Sequence, residues 1–139
     1  MDQGEDQMKQ IPKVEKFMTP MPHSVNADLP LKTAHDLMTK YGIRNIPVQD
    51  SGQMVGIIKD RDVKLASSMN EGNTLKIEDV MTPEPYTVAP QDSLDEVVSQ
   101  MAEKKYGCAV ILQENGKVVG IFTATDGLRA FAEVLQSRF

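Results

Sequence analysis

The chain has 139 residues, of which 40% are hydrophobic and 25% charged, a balance typical of a folded globular protein rather than a disordered or fibrous one. Its 20 acidic and 15 basic residues give a net charge of −5, which argues against nucleic acid as the main partner, because phosphate backbones are bound by clustered Lys and Arg. No apolar run approaches the roughly 20 residues that span a bilayer, and the single cysteine, Cys108, excludes a disulfide framework and a cysteine-based metal cluster. We therefore expect a cytoplasmic protein that binds neither a membrane nor a metal ion.

Most of the chain consists of two similar copies of one sequence. Residues 14–20 (Val-Glu-Lys-Phe-Met-Thr-Pro) recur 63 positions later as residues 77–83 (Ile-Glu-Asp-Val-Met-Thr-Pro). A repeat of this length indicates one structural unit that is used twice. The segments that we assign are a flexible N-terminal tail at residues 1–13, copy one at residues 14–73 and copy two at residues 74–139.

The spacing between the copies changes once along the chain. The two Met-Thr-Pro segments lie 63 residues apart, whereas Asp62 and Asp126 lie 64 residues apart. This change predicts one inserted residue near the end of the first helix of copy two. With that placement, Arg44 of copy one corresponds to Cys108 of copy two.

Each copy is predicted to contain a short strand, a helix, two strands and a second helix. The residue before each Met-Thr-Pro proline favours extended backbone, because the proline ring clashes with a helical neighbour. Ser93 begins a Ser-x-x-Glu capping box, and apolar residues follow it at helical spacing. Gly52 and Gly116 lie in turn sequences between apolar runs, which predicts a β-hairpin in each copy. The predicted strands are residues 24–25, 45–48, 54–58, 87–88, 108–112 and 118–122, and the predicted closing helices are residues 60–68 and 124–138.

The size of one copy favours a fold in which the two copies share a core. A unit of about 60 residues buries only about 60% of its unfolded surface and is marginally stable alone. Two such units gain stability when their sheets pack against each other. We therefore predict an α+β fold with two β-α-β-β-α repeats, packed sheet to sheet with pseudo-two-fold symmetry.

Three motifs that occur in both copies resemble a known family. They are the Met-Thr-Pro start, a Tyr-Gly pair near the end of the first helix, and Gly-Ile-x-x-x-x-Asp after the last strand. As a set, over about residues 14–133, they resemble a tandem cystathionine β-synthase (CBS) domain pair, the Bateman module, here of the stand-alone type. The resemblance implies a non-enzymatic regulatory module that needs no cofactor. It implies a module that senses an adenosine-containing ligand (AMP, ADP, ATP, S-adenosylmethionine or a dinucleotide) and relays the binding of this ligand to a regulated protein.

The resemblance also implies two ligand clefts, one built mainly by each copy. In the family, the aspartate of the Gly-Ile motif binds the ribose hydroxyls, and a Thr or Ser three residues earlier lies near the phosphate or ribose. The segment after Met-Thr-Pro and the middle strand sandwich the base. In copy two the matching positions are Asp126, Thr123, Tyr86, Thr87, Val88, Ala109 and Val110. In copy one they are Asp62, Lys59, His23, Ser24, Ile46 and Pro47, together with Arg44 as a cation that faces the phosphates.

Each candidate also has a structural interpretation. Thr123 at a strand end and Asp126 in the first turn of a helix suit an anion or a diol, yet they equally suit a helix cap and the helix dipole. Lys59 stands where copy two has Thr123, and it either reaches a ligand phosphate as a point charge or is solvated. The same two interpretations, a ligand contact or ordinary surface and loop packing, stay open for Arg44, His23 and Tyr86.

A second class of function stays open from the sequence: a constitutive homo-oligomerisation or protein-interaction module whose ligand clefts are vestigial. Lys59 in place of a threonine favours this alternative, and the intact motif at Asp126 opposes it. Either function is compatible with a homodimer, because two-fold dimers are the commonest oligomers. The apolar helix residues predicted to form the dimer face are Leu31, Met38, Leu65, Leu94, Met101, Leu128, Phe131 and Leu135.

Overall fold

The computed structural model describes residues 10–21, 23–69 and 74–138. Residues 1–9 of the predicted tail and residues 70–73 at the end of copy one lie outside the described residues. The predicted order of a short strand, a helix, two strands and a helix is confirmed in both copies. The elements of copy one are a 3-10 turn (Val14–Lys16), β1 (Thr19–Pro20), β2 (Val25–Asn26), α1 (Leu31–Tyr41), β3 (Asn45–Asp50), β4 (Gln53–Lys59) and α2 (Asp60–Ser67). Those of copy two are α3 (Ile77–Val80), β5 (Thr82–Pro83), β6 (Thr87–Val88), α4 (Leu94–Lys104), β7 (Cys108–Leu112), β8 (Val118–Thr123) and α5 (Ala124–Arg138).

The eight strands form two four-stranded sheets, with the strand orders β1-β8-β7-β6 and β2-β3-β4-β5. The two longer strands of each hairpin lie at the centre of a sheet, and the two-residue strands lie at its edges. β2 runs parallel to β3, with Val25 opposite Val48, and β6 runs parallel to β7, with Val88 opposite Ile111. The predicted α+β class with two repeats is therefore confirmed.

Each sheet is completed by the short strand that begins the other copy. β1 pairs antiparallel with β8, so that Thr19 lies opposite Ile121, and β5 pairs antiparallel with β4. The chain accordingly forms two compact units whose bounds differ from those of the sequence copies. The copy-two unit comprises the segment that ends at Pro20, Tyr86–Gln113 and the segment from Gly120, and the copy-one unit comprises Met21–Pro85 and Glu114–Val119. The boundary between residues 73 and 74 stays a prediction about the sequence repeat.

The last strand of each copy contains a glycine that the exchanged strand needs in order to fit. A Cβ added at Gly120 would lie 2.5 Å from Sδ of Met18 and 3.0 Å from the carbonyl oxygen of Thr19. A Cβ added at Gly56 would lie 2.7 Å from Sδ of Met81 and 2.8 Å from the carbonyl oxygen of the next residue. The glycine of the Gly-Ile motif is thus explained by close packing of the Met-Thr-Pro segment against the sheet.

Four residues predicted to form the dimer face belong instead to the cores of their own units. Leu31, Met38, Leu94 and Met101 are at most 7% exposed. That prediction was wrong because an apolar helix stripe has the same spacing whether it faces its own sheet or a partner. The residues of the predicted face that are exposed are Leu65, Leu128, Phe131 and Leu135.

The predicted position of the inserted residue was also wrong. Both α1 and α4 have 11 residues, so the insertion does not lie at a helix end. Val48 and Ile111, which occupy equivalent register positions, are still 63 residues apart, whereas Ile57 and Ile121 are 64 apart. The extra residue of copy two therefore lies in its hairpin, between β7 and the centre of β8.

This correction changes the counterpart of Arg44. The carbonyl oxygen of Arg44 accepts a hydrogen bond from the N–H of Asp60 at 2.8 Å, and that of Gly107 accepts one from the N–H of Ala124 at 3.3 Å. Arg44 therefore corresponds to Gly107 rather than to Cys108. A cation at this position still occurs in copy one alone, because glycine has no side chain.

The predicted capping box at Ser93 does not form. Ser93 is the residue before α4, but its hydroxyl donates to the carboxylate of Asp95 and makes no bond to a helix N–H. A carboxylate two residues on competes for the hydroxyl, so the Ser-x-x-Glu pattern does not determine the partner.

Candidate functional site

Asp126 is almost fully enclosed, with 2% of its surface exposed, although it carries a carboxylate. Its Oδ1 accepts hydrogen bonds from Oγ1 of Thr19 at 3.0 Å and from Nη1 of Arg129 at 2.9 Å. Its Oδ2 accepts from the N–H of Thr123 at 2.9 Å and from Oγ1 of the same residue at 3.2 Å. We name Thr19, Thr123, Asp126 and Arg129 the Asp126 network. Four donors occupy all four acceptor positions that an ionised carboxylate offers.

The Asp126 network forms the N-terminal cap of α5. The backbone N–H of Thr123 donates to the Asp126 carboxylate, and the N–H of Asp126 donates back to the Thr123 hydroxyl at 3.4 Å. This reciprocal pair satisfies two helix N-terminal donors. Arg129 supplies the opposite charge that a buried carboxylate needs. The structural interpretation of Thr123 and Asp126 is therefore realised in the structure, and their role in ligand binding stays a prediction.

Asp62, the equivalent carboxylate of copy one, has different surroundings. It is half-buried, and among the described residues no side chain or backbone N–H donates a hydrogen bond to its carboxylate. The residue before α2, Lys59, makes no side-chain cap bond. The counterparts of Thr123, Arg129 and Thr19 in the copy-one unit are Lys59, Leu65 and Thr82. The acceptor positions of Asp62 are thus open to a ligand, whereas those of Asp126 are filled.

Two cations of copy one lie at the same end of the β3–β4 hairpin as Asp62. Lys59 is paired with Asn45, and Arg44 is the residue just before Asn45. The carbonyl of Arg44 is bonded to the first residue of α2, and Asp62 lies in the first turn of that helix. Neither cation forms an ion pair in the part of the chain that the structure describes. A phosphate and a sugar diol find complementary groups here.

Both aromatic candidates are stacked on a second ring of their own unit. His23 lies against Tyr41, with ring centroids 4.0 Å apart, and Tyr86 lies against Tyr106, with centroids 4.9 Å apart. The two rings of each pair are nearly parallel, at 26° and 21°. A base that stacks on His23 or Tyr86 therefore extends an existing aromatic pair.

A cavity of about 450 Å³ lies within the copy-one unit. Its volume is in the range of small-molecule sites, and its lining combines apolar walls with several hydrogen-bonding groups. The apolar residues that line it are Met21, Pro47, Val48, Met54 and Val118. The polar residues that line it are His23, Ser24, Gln49, Asn115 and Lys117. Three of the residues predicted for copy one, His23, Ser24 and Pro47, thus face one cavity.

A smaller cavity of about 330 Å³ lies in the copy-two unit and has an acidic lining. Tyr86 is the predicted site residue that borders it, beside the carboxylates of Asp92, Asp95 and Glu96. Burial raises the pKa of Tyr86, and the charges of Asp92 and Glu96 and the neighbouring Tyr106 raise it further. An acidic lining repels phosphate, so a nucleotide bound by copy two must hold its anionic end outside this cavity, whose lining does not include Asp126.

The remaining candidates lie in or beside the sheets. Ile46, Ala109 and Val110 are fully buried, so their side chains are core contacts. The backbone N–H of Val110 donates to the carbonyl of Tyr86 at 2.9 Å, which ties the predicted base-binding segment to β7. Val88 is buried at the sheet edge, whereas Ser24 and Thr87 are exposed.

Comparison with known proteins identifies the family. The family model of the CBS domain matches residues 14–68 and 77–133, which is most of the chain. The chain belongs to the CBS domain family. The resemblance deduced from the Met-Thr-Pro and Gly-Ile motifs is therefore confirmed, and the two matched segments correspond to the two copies.

Solved CBS pairs share the fold over nearly their whole length. A Vibrio cholerae protein described as an acetoin utilization protein is 29% identical, with a TM-score of 0.77, and the match covers 93% of this chain and 96% of that one. The CBS domain pair of protein MJ0100, solved with 5′-methylthioadenosine and S-adenosyl-L-methionine, is 26% identical, with a TM-score of 0.78 and coverage of 89% and 98%. CBSX2 from Arabidopsis thaliana, solved with AMP, is 26% identical, with a TM-score of 0.74 and coverage of 88% and 97%.

Curated relatives contain a CBS pair as a minor part of a longer protein. Inosine-5′-monophosphate dehydrogenase from Korarchaeum cryptofilum is 31% identical over 118 residues, which are 85% of this chain and 24% of that enzyme. The chain spans about a quarter of the length of the first curated relatives that it matches. The similarity to these enzymes is thus confined to a segment of CBS-pair size.

Sequence reasoning missed several residues of this CBS pair. Arg129 is three positions after Asp126 on a helix, and that spacing alone predicts a contact. The contact of Thr19 with Asp126 spans 107 positions and follows only from the strand exchange. Lys117 and Asn115 come from the hairpin of copy two, yet they line the cavity of the copy-one unit, and no sequence pattern indicates this.

The described residues hold neither a metal-binding cluster nor a membrane-spanning helix. Among residues 10–21, 23–69 and 74–138, no group of three or more His, Cys, Asp or Glu side chains is arranged to hold a metal ion. Every helix in these same ranges is too short or too polar to serve as a membrane span.

Proposed function

We propose that this CBS pair is a cytoplasmic regulatory module that binds an adenosine-containing ligand and relays its binding to a partner protein, without catalysing a reaction itself. Relatives solved with AMP, and with S-adenosyl-L-methionine and 5′-methylthioadenosine, support the ligand class. The observation that carries the proposal is the cavity of about 450 Å³ in the copy-one unit. Three residues that the sequence predicts as ligand contacts, His23, Ser24 and Pro47, line it.

Copy one offers groups for each part of a nucleotide, some in the cavity and others, Asp62, Lys59 and Arg44, outside the cavity lining. The apolar side chains of Met21, Pro47 and Met54 offer flat contact surface for a purine, and the neighbouring amides and hydroxyl offer hydrogen bonds to its edge. The open carboxylate of Asp62 suits the two ribose hydroxyls. Lys59 and Arg44 are without ion partners among the described residues and attract phosphate, with a strength that grows with phosphate charge and falls with salt.

A thermal-shift screen tests the ligand class directly. AMP, ADP, ATP, S-adenosylmethionine and 5′-methylthioadenosine are titrated into the protein, and a ligand bound only by the native state must raise the unfolding temperature. Ser24→Trp fills the cavity from an exposed position, and we expect it to weaken binding by tenfold or more. Ser67→Trp, which adds the same side chain at an exposed site outside the cavity lining, serves as the matched control. No shift with any of these compounds would contradict the proposal.

One observation favours the second candidate function, a homo-oligomerisation module. α5 carries three exposed apolar residues on one helical face, Leu128, Phe131 and Leu135, with Leu128 69% exposed. A second copy of the chain is a suitable partner for such a face, because closed two-fold dimers are common. We expect light scattering to give about twice the chain mass of 15.4 kDa. Phe131→Glu should dissociate this dimer, and Gln136→Glu, which adds the same charge at another exposed position of α5, should not.

A further inference from the structure

The Asp126 network contains one residue from outside its own repeat. Thr19 belongs to β1, the strand that begins copy one, and its hydroxyl donates to Asp126 at the start of α5. β1 is only two residues long, with Thr19 opposite Ile121 and Pro20 opposite Gly120. This hydrogen bond adds to the β1–β8 ladder and to the packing of Met18 against Gly120 in holding β1 to the copy-two unit.

A ribose diol at Asp126 has to displace donors that are already present. Two sugar hydroxyls need two acceptor positions, and the four positions of the carboxylate are filled. The two donors from Thr123 are fixed by the helix cap. Those on Oδ1 are easier to remove, since the Thr19 hydroxyl turns about one bond and the Arg129 side chain is 63% exposed. The ligand therefore competes with Thr19 for Oδ1.

We infer that Thr19 is an affinity-determining residue of the copy-two site, so that ligand bound at Asp126 weakens the attachment of β1. The inference rests on the proposed function, because it requires an adenosyl ligand at that site. Copy one lacks the same coupling: in the described part of the chain, Thr82 makes no hydrogen bond to Asp62. Ligand binding in copy two thus alters the N-terminal segment, and ligand binding in copy one leaves β5 in place.

Calorimetric titration of AMP into Asp62→Ala variants tests the inference, because this background removes the carboxylate of copy one. Thr19→Val keeps the shape of the side chain and removes the competing donor, so it should bind AMP about tenfold more tightly than the background, as expected for one hydrogen bond to a charged group. Thr19→Ser retains the hydroxyl and should match the background. Thr82→Val, the same change at the equivalent strand of the copy-one unit, should also match it. Thr19→Ala is the second variant should the valine impair folding.

Hydrogen exchange of the unmodified protein gives an independent result. Saturating AMP should speed the exchange of the Thr19 amide and leave that of Thr82 unchanged. A loss of β1 packing that is merely structural would not tighten AMP binding in Thr19→Val. Equal AMP affinity in the Asp62→Ala background with and without Thr19→Val would overturn the inference and leave the proposed function standing. Absence of AMP binding in the parent and in every variant, with no shift from the other adenosyl compounds, would overturn both.

Discussion

The carboxylates of Asp62 and Asp126 occupy the same position in two copies of one motif, yet their surroundings are opposite. Asp126 is buried, accepts four hydrogen bonds and caps α5. Asp62 is half-buried and accepts no hydrogen bond from the other described residues. Copy two, which retains the full family pattern, holds its carboxylate in a structural role. Copy one, which departs from that pattern, leaves its carboxylate open.

The difference shows that a motif fixes the position of a side chain but not its availability. Two substitutions and one displaced hydroxyl change the surroundings of the carboxylate. Lys59 replaces a hydroxyl with a long cation, and Leu65 replaces a guanidinium with an alkyl group. Thr82 keeps the hydroxyl of Thr19 but makes no bond to Asp62 in the described structure. The residues around the carboxylate, Lys59 within the motif and Leu65 and Thr82 outside it, therefore decide whether the carboxylate is open to a ligand.

The largest effect is expected for removal of the two carboxylates. Asp126→Ala leaves the donors of Thr19, Thr123 and Arg129 without their acceptor, and we expect a loss of about 2–4 kcal/mol of unfolding free energy. Asp62→Ala removes no such bonds and should cost less than about 1 kcal/mol. Urea denaturation of both variants measures the two losses. Equal losses would contradict the difference in surroundings described above.

A second prediction concerns the glycines under the exchanged strands. Gly56→Ala should cost about 1–3 kcal/mol, because its Cβ meets a backbone oxygen at 2.8 Å that cannot move alone. Gly120→Ala should cost less, since the backbone oxygen that its Cβ meets, that of Thr19, lies farther away, at 3.0 Å. Gly107→Ala is the matched control, because nothing lies within 4 Å of its added Cβ. Chemical denaturation tests the order, and a larger loss at Gly120 than at Gly56 would contradict it.

Exchanging the residues before the closing helices should bring the two copies closer in behaviour. Lys59→Thr supplies copy one with the missing cap and should stabilise the protein by about 0.5–1 kcal/mol, whereas Thr123→Lys should destabilise it by about 1–2 kcal/mol. If Lys59 contacts a phosphate, Lys59→Thr also weakens the binding of ATP more than that of AMP. This loss of affinity becomes smaller as the salt concentration rises. If Lys59 only blocks the cleft, the change improves binding of both nucleotides. Unchanged affinities for both ATP and AMP would show that Lys59 is solvated and that Arg44 is the remaining cation.

The smallest expected effect is a pH dependence in the copy-two unit. Burial, the carboxylates of Asp92 and Glu96, and Tyr106 raise the pKa of Tyr86 in the folded state above its unfolded value near 10. A raised folded pKa means that the folded state holds the proton longer, so stability falls as the pH rises from about 10 through the folded value. We expect this fall to be shallower in Tyr86→Phe. Identical alkaline unfolding curves for the two proteins would contradict the shift.

Sequence reasoning predicted the repeated parts of this fold well, because local signals determine them. The strand bounds at Cys108–Leu112 and the helix bounds at Ala124–Arg138 agree with the structure, since turn glycines and apolar runs delimit them. Features that depend on the partner of a segment were not predictable. Examples are the pairing of Thr19 with Ile121, the insertion in the second hairpin and the burial of Met101, because strand exchange and sheet packing bring together residues far apart in sequence.

The candidate site shows the same limit. The motif located Asp62, Lys59 and Asp126, and the segment after Met-Thr-Pro located His23 and Ser24. Thr19, which fills one acceptor position of Asp126, and the hairpin residues that line the copy-one cavity come from distant segments, which composition and spacing do not connect.

Calorimetric titration of AMP into the parent protein and into Asp62→Ala tests most directly that copy one holds the open nucleotide site. The parent should bind AMP most tightly at the site of copy one. Asp62→Ala should weaken binding at this site by about 10- to 100-fold, the effect of losing charge-assisted bonds to both ribose hydroxyls. Binding of AMP to the parent with unchanged affinity in Asp62→Ala would contradict an open site in copy one, and no binding to the parent would contradict a site for AMP altogether.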